Sequence, residues 1–141
     1  MANRGPVIIV EDDADDEAIF NEILRELNIS NNIKWFGNSD DAIHYLKTTT
    51  DQPFIIFSDV NLPGDNGIEF KRQIDKDKRL RKKSIPFVFY STAVDRRIVD
   101  EVYTQMTVQG FFKKGNSYEE IRNNIKLIFD YWQICKHPNI K

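Results

Sequence analysis

Short runs that are apolar at consecutive positions alternate along this chain with longer segments in which apolar residues recur every three or four. The short runs are Val7–Val10, Ile33–Phe36, Phe54–Ser58, Phe87–Ser91 and Gln109–Lys113. They are rich in β-branched and aromatic residues, and several are apolar on both faces, as strands covered by helices on both sides are. Ile33–Phe36 is short and flanked by polar residues, the pattern of an edge strand. A first helix is predicted by Ile19, Ile23 and Leu27, spaced by four. Asp13, Asp15, Asp16 and Glu17 crowd its start, where the helix dipole favours negative charge. A second follows Ser39 as N-cap and carries Ala42, Ile43 and Leu46. A third begins near Asn66 with Ile68, Phe70 and Ile74, and a fourth carries Ile98, Val102 and Met106. A fifth follows Ser117, with Glu120 placed for a capping box. It continues through Ile121, Ile125, Ile128, Trp132 and Cys135 until His137-Pro138 ends it.

Five strands alternating with five helices predict an α/β domain, a doubly wound five-stranded parallel sheet with right-handed crossovers. The basic stretch Lys76, Lys78, Arg79, Arg81, Lys82 and Lys83, before the fourth strand, reads as a solvated connection, with a docking patch for an acidic partner as the sharper alternative. The aromatic end of the last helix, Phe129 to Ile134, either covers its own core or forms a homodimer interface.

Composition narrows the function classes. A chain of 141 residues has room for one domain, here expected over 1–141 with its core in about 5–136 and no output domain after it. Twenty basic against 22 acidic residues argue against a general nucleic-acid binder. The longest apolar runs are four residues, far short of the ~20 a membrane span needs. A single cysteine, Cys135, forms no internal disulfide and suits a reducing cytoplasm, where it is expected to act as a small packed hydrophobe. His44 and His137 lie on helices, away from any acidic cluster.

In an open parallel sheet the binding crevice lies beyond the carboxyl ends of the strands. Glu11, Asp12 and Asp13 follow the first strand and Asp59 the third, while Ser91 and Thr92 end the fourth and Lys113 and Lys114 the fifth. Carboxylates held this close raise one another's pKa, and a fold keeps them together most readily around a cation. Oxygen donors without nearby His or Cys favour a hard ion, Mg²⁺ above zinc. Glu11, Asp12 and Asp59 would repel a phosphate, but Mg²⁺ and Lys114 together cancel their charge.

These residues carry a resemblance. Glu11-Asp12-Asp13, the Asp59-Val60-Asn61-Leu62-Pro63-Gly64 element with Gly67 beyond it, Pro86 through Ser91-Thr92, and Phe111-Phe112-Lys113-Lys114 resemble the response-regulator receiver domains of two-component signalling. The resemblance covers roughly residues 5–136. It implies a flavodoxin-like (βα)5 receiver fold and a phosphorylatable signalling switch rather than an enzyme, with at most slow self-dephosphorylation. Asp59 would be the phosphoacceptor, taking a phosphoryl group from a sensor histidine kinase or a histidine phosphotransfer protein. Mg²⁺ would be held by Asp12, by Asp59 and by the backbone carbonyl of Asn61, with Glu11 acting through a bound water. Ser91 and Lys114 would bind phosphoryl oxygens, and Ser91 with Phe111 would form the switch. Its readout would be the face made by the fourth helix, fifth strand and fifth helix, offered to a downstream protein. The aromatic tail and the longer connection before the fourth strand look like the small stand-alone regulators that pair with bacterial phytochrome kinases.

The sequence departs from that pattern at three places. Lys114 is followed by Gly115 where receivers usually have proline, which leaves Lys113 as a competitor for the phosphate-binding role. The switch position is Phe111, without a hydroxyl, and Ala93 offers no side chain to orient a water. Two other function classes stay open. A Mg²⁺-dependent phosphohydrolase generally wants a second aspartate where Asn61 stands, and an adaptor that ignores phosphate would need none of these groups.

Overall fold

The structure, a computed structural model, describes residues 4–62, 66–92 and 95–135. The order is β1 (Val7–Val10), α1 (Ala14–Glu26), β2 (Ile33–Phe36), α2 (Ser39–Thr48), β3 (Ile55–Ser58), α3 (Gly67–Lys76), α4 (Lys78–Lys83), β4 (Phe87–Ser91), α5 (Arg96–Gln105), β5 (Gly110–Lys113) and α6 (Tyr118–Ile134). The five strands form one parallel sheet in the order β2-β1-β3-β4-β5. The three inner strands are buried at every position, whereas β2 at one edge is mostly half-buried, as its polar flanks predict.

The alternate faces of the strands feed two cores. Ile8, Val10, Ile56 and Phe89 point to one side, against α2, α3 and α5. Val7, Ile9, Phe57 and Val88 point to the other, against α1 and α6. Each fully buried side chain of this size contributes about 1.5–3 kcal/mol relative to an exposed one, so both layers hold the sheet rigid. Phe129 of α6 sits 5.9 Å from both Phe54 and Phe57, so the aromatic tail does cover its own core. Leu127, Tyr131 and Ile134 remain exposed on its outer side.

Two details differ from the sequence reading. The basic stretch contains a sixth helix, α4, where a solvated connection was expected. Asp77 caps it by accepting from the backbone N–H groups of Arg79 and Leu80, and Leu80 is buried at 2% exposure. One apolar residue in six gives too little periodicity to read, which is why the helix is invisible in the pattern. The cap of α2 is Asn38 rather than Ser39, its side chain accepting from the Asp41 N–H at 2.8 Å. Helix α6 ends with Cys135 as its C-cap; His137-Pro138, the expected stop, lies outside the described residues, as do Pro63, Gly64 and Ala93. Among the described residues no helix is long and apolar enough to cross a membrane.

Candidate functional site

The strands deliver their last residues in register. Val10 pairs with Ser58, and Ser91 with Lys113, so Glu11, Asp59 and Lys114 leave the sheet at its carboxyl edge. One further backbone bond clips each of them to the neighbouring strand. The N–H of Glu11 donates to Phe36 at 2.9 Å, that of Asp59 to Val10 at 3.0 Å, and that of Lys114 to Ser91 at 2.9 Å. Side chains mounted this way start from a fixed backbone, which suits a site that depends on geometry.

Asp59 is 8% exposed, and its two oxygens are used differently. Oδ1 accepts from the Ser91 hydroxyl at 2.6 Å and from the Asn61 N–H at 3.2 Å. Oδ2 meets the Lys114 ammonium at 3.4 Å, and the Glu11 carboxyl is a further hydrogen-bonding neighbour of this carboxylate. Lys114 is held more closely by two other carboxylates, Glu11 Oε2 at 2.5 Å and Asp16 Oδ2 at 2.7 Å. The cluster is therefore an ammonium ringed by three acids, with a hydroxyl on the far side of the innermost one.

Charge and burial set the protonation of this group. Burial pushes the Glu11 carboxyl up to about 7, against the pull of Lys114 and with the nearby Asp59 adding to the rise. Burial also works to raise Asp59, but the Ser91 hydroxyl, Lys114, a hydrogen bond with the Glu11 carboxyl and the Asn61 N–H outweigh it and hold the carboxyl below its ordinary range. Burial works to lower Lys114, but the hydrogen bonds to Asp16 and Glu11 prevail and lift it above the usual lysine value. At neutral pH the site thus presents an ionised Asp59 beside a firmly protonated Lys114, with Glu11 poised between its two states.

Glycine at position 67 is what lets α3 approach. A Cβ there would stand 2.0 Å from the Asp59 carbonyl oxygen, and the Gly67 N–H donates to Val60 at 2.7 Å. On the strands that carry Ser91 and Lys113, Phe111 packs against Phe89 with tilted rings 5.6 Å apart, and its N–H donates to the Tyr103 hydroxyl of α5 at 2.9 Å. Beneath the cluster lies a cavity of about 100 Å³ lined by Phe20, Trp35, Phe57 and Tyr90. The Tyr90 hydroxyl is buried there and completes no hydrogen bond among the described residues, although Asn124 and the Gly115 backbone are its neighbours.

The expected residues do not all converge. Glu11, Asp59, Ser91 and Lys114 meet, and the Asn61 backbone joins them. Of the two lysines, Lys114 enters the cluster and Lys113 is exposed; the Lys114–Gly115 peptide is trans. Asp12 is exposed on the adjoining loop and takes part in none of the cluster's bonds among the described residues. Asp16 was read only as a helix-start charge, yet it is one of the closest partners of Lys114. In sequence it is one of several acids in the first turn of α1, and only the packing of that helix beside the end of β5 brings it to Lys114. His44 is exposed, and Cys135 is half-buried at the end of α6.

The donor set at the strand ends is wholly oxygen, and Glu11 and Asp59 crowd each other enough to raise Glu11. That chemistry fits a hard divalent cation, which would relieve the crowding. Among the described residues no three acidic, His or Cys side chains form a closed metal cage. A cation here would have to draw on the backbone and water as well, as Mg²⁺ commonly does.

Comparison with known proteins agrees with this geometry. The family model described as "Response regulator receiver domain" matches residues 7–126. Among curated proteins, the probable methanogenesis regulatory protein FilR2 of Methanothrix harundinacea is 25% identical over 130 residues, covering 89% of this chain and 82% of that protein. Among solved structures, the phosphorylated cyanobacterial phytochrome response regulator RcpA superposes with a TM-score of 0.85 at 23% identity, over 95% of this chain and 98% of its own. The Mn(2+)-bound form of response regulator Rcp1 superposes with a TM-score of 0.81 at 20% identity, over 94% and 98%. At these identities the two superpositions show the fold.

Proposed function

The chain belongs to the response regulator receiver domain family, and from that premise we propose that it is a phosphorylatable switch whose acceptor is Asp59. The observation that carries this reading is the asymmetric environment of the Asp59 carboxylate. Oδ1 is tied down by Ser91 at 2.6 Å and by Asn61, while the contact of Oδ2 with Lys114 is the longest of the three, at 3.4 Å. Oδ2 is therefore the freer nucleophile, and the depressed pKa keeps it ionised.

In this reading Oδ2 attacks the phosphorus of a phosphohistidine on a histidine kinase or phosphotransfer protein. The P–N bond breaks, the imidazole leaves and takes up a proton, and an aspartyl phosphate remains. The product carries about −2 on three oxygens. Lys114 swings toward one of them, away from Asp16, and the Ser91 hydroxyl turns from Oδ1 to another. Asp12, Asp59, the Asn61 carbonyl and, through water, Glu11 are the groups that would hold Mg²⁺. When bound, that ion would supply two positive charges that offset the acids and the incoming phosphate. The existence of an Mn(2+)-bound form of Rcp1 supports the assignment of a divalent ion.

Movement of Ser91 opens room beside Phe89 and Phe111, a ring pair in contact at 5.6 Å on the same two strands. Because the Phe111 N–H is bonded to Tyr103, a change at Phe111 reaches α5. The signal then appears on the α5–β5–α6 face, where a downstream protein would read it. Phosphotransfer profiling tests the reading: purified histidine kinases of the host are autophosphorylated and mixed with this chain. A cognate kinase should label the wild type in seconds to minutes and leave Asp59→Asn unlabelled. Equal labelling of the two would overturn it.

A further inference from the structure

At the other end of the sheet, before the amino ends of β4 and β5, the surface has a different character. Residues 76–83 hold six cations and one acid, a surplus of five positive charges in a chain whose formal net charge is −2. Lys76, Lys78, Arg79, Arg81 and Lys82 are exposed, and none of them forms an ion pair among the described residues. The one acid, Asp77, is occupied in capping α4. Lys83 donates to the carbonyls of Leu46 and Thr49, which locks the helix against α2. The cations are thus mounted on a fixed element, and like charges so close cost stability unless something acidic covers them.

Beside this helix lies a cleft of about 270 Å³. Ile74, Leu80, Ile85 and Pro86 give it an apolar wall, and Arg81 and Thr107 stand among its polar groups. Its floor is rigid. The buried Lys71 ammonium donates to Asp75 at 2.8 Å and to Thr107 at 3.2 Å, and lies 5.1 Å from the centre of the Phe87 ring. A preformed concavity next to a dense positive strip is a place for one apolar side chain flanked by acids.

We infer that α4 and the cleft beside it form a docking site for a short acidic segment of a partner protein, one that inserts a single apolar residue into the cleft. This surface is remote from Asp59, so the inference stands whether or not Asp59 is phosphorylated. Other anionic occupants fit less well. Six helical residues span only about 9 Å, too short to follow a nucleic-acid backbone, and the strip has no aromatic side chain on which a base could stack. A membrane surface would need an apolar anchor, and the only apolar residue of α4, Leu80, is buried.

The test uses the full chain and four probes in fluorescence polarisation and liposome sedimentation. They are a short peptide of Asp and Glu around one Leu, the same peptide with Ala for Leu, a duplex DNA of equal charge, and phosphatidylglycerol vesicles. The Leu peptide should bind saturably at about 50 mM salt and weaken as salt screens the strip. Its affinity should fall about tenfold in R79E/R81E/K82E, a loss of roughly 1.4 kcal/mol, and by less in R79Q/R81Q/K82Q. Both variants should melt no lower than the wild type, since none of the three side chains is buried and the like-charge crowding is relieved. Absence of saturable binding, indifference to charge reversal, or tighter binding of DNA or vesicles would each overturn the proposal. Equal affinity for the Leu and Ala peptides would also overturn it, because the cleft would then play no part.

Discussion

Lys114 is closer to Asp16 than to Asp59: its ammonium lies 2.7 Å from the first carboxylate and 3.4 Å from the second. Asp16 is the more exposed of the two partners, so the bond is easily exchanged for a stronger one. In the proposed switch Asp16 parks the ammonium until a phosphoryl group competes for it. Asp16→Asn should therefore favour the phosphorylated form. Partly exposed pairs are worth about 0.2–1 kcal/mol, so the phosphoryl half-life or extent of labelling should rise by up to about fivefold. Decay of the labelled form, followed by mass spectrometry, checks this; a shorter half-life would count against the parking role.

Ser91 holds Asp59 Oδ1 in the shortest hydrogen bond that carboxylate makes. Ser91→Ala strips Oδ1 of its shortest bond and takes away a donor for the phosphoryl group. A bond to a charged group contributes about 1.5–3 kcal/mol, so labelling by acetyl phosphate should slow by about tenfold or more while the fold persists. Ser91→Thr, which keeps the hydroxyl, should retain most of the rate.

Two glycines make a matched pair. A Cβ at Gly67 would collide with the Asp59 carbonyl at 2.0 Å, and backbone has no room to yield. At Gly37 nothing lies within 4 Å of the added atom. Gly67→Ala should cost about 1–3 kcal/mol through overpacking, lower Tm by several degrees and slow labelling, because α3 and Asp59 shift together. Gly37→Ala should leave both close to wild type. Thermal denaturation with a labelling assay on the same samples separates the outcomes.

Lys71 gives a pH prediction away from the site. Burial lowers its pKa from the ordinary 10.5, against the pull of Asp75. The folded state then releases the proton before the unfolded state does. Between the lowered folded value and 10.5 the unfolded chain binds more protons, so stability rises with pH across that window. Urea titrations at pH 7 and pH 10 should show wild type gaining on Lys71→Met at the higher pH. A gap that stays constant or moves the other way would contradict the buried, charged lysine.

How far the chain discloses itself depends on the kind of signal. The two-sided apolar strands and the four-residue spacing in α1 and α6 place the sheet and its flanking layers, because burial on both faces leaves no alternative pattern. The strand ends then place Glu11, Asp59, Ser91 and Lys114 together. What stays hidden depends on side-chain reach rather than on periodicity. Asp16 looks like any acid in a first helical turn until α1 is set beside β5. Asp12 looks central by its neighbours in sequence, and in the structure it is exposed at the same strand end without a hydrogen bond to the cluster among the described residues. Helix α4 hides because Leu80 is its only core residue and its cap, Asp77, also ends α3.

The central claim is that Asp59 takes a phosphoryl group with the help of a divalent cation. The most direct measurement is intact-mass analysis after incubation with acetyl phosphate and millimolar Mg²⁺, followed by peptide fragmentation. One added phosphoryl group should appear on Asp59, vanish with EDTA, and fail to form in Asp59→Asn. Phosphoryl groups on another residue, or full addition in the chelated sample, would contradict the account.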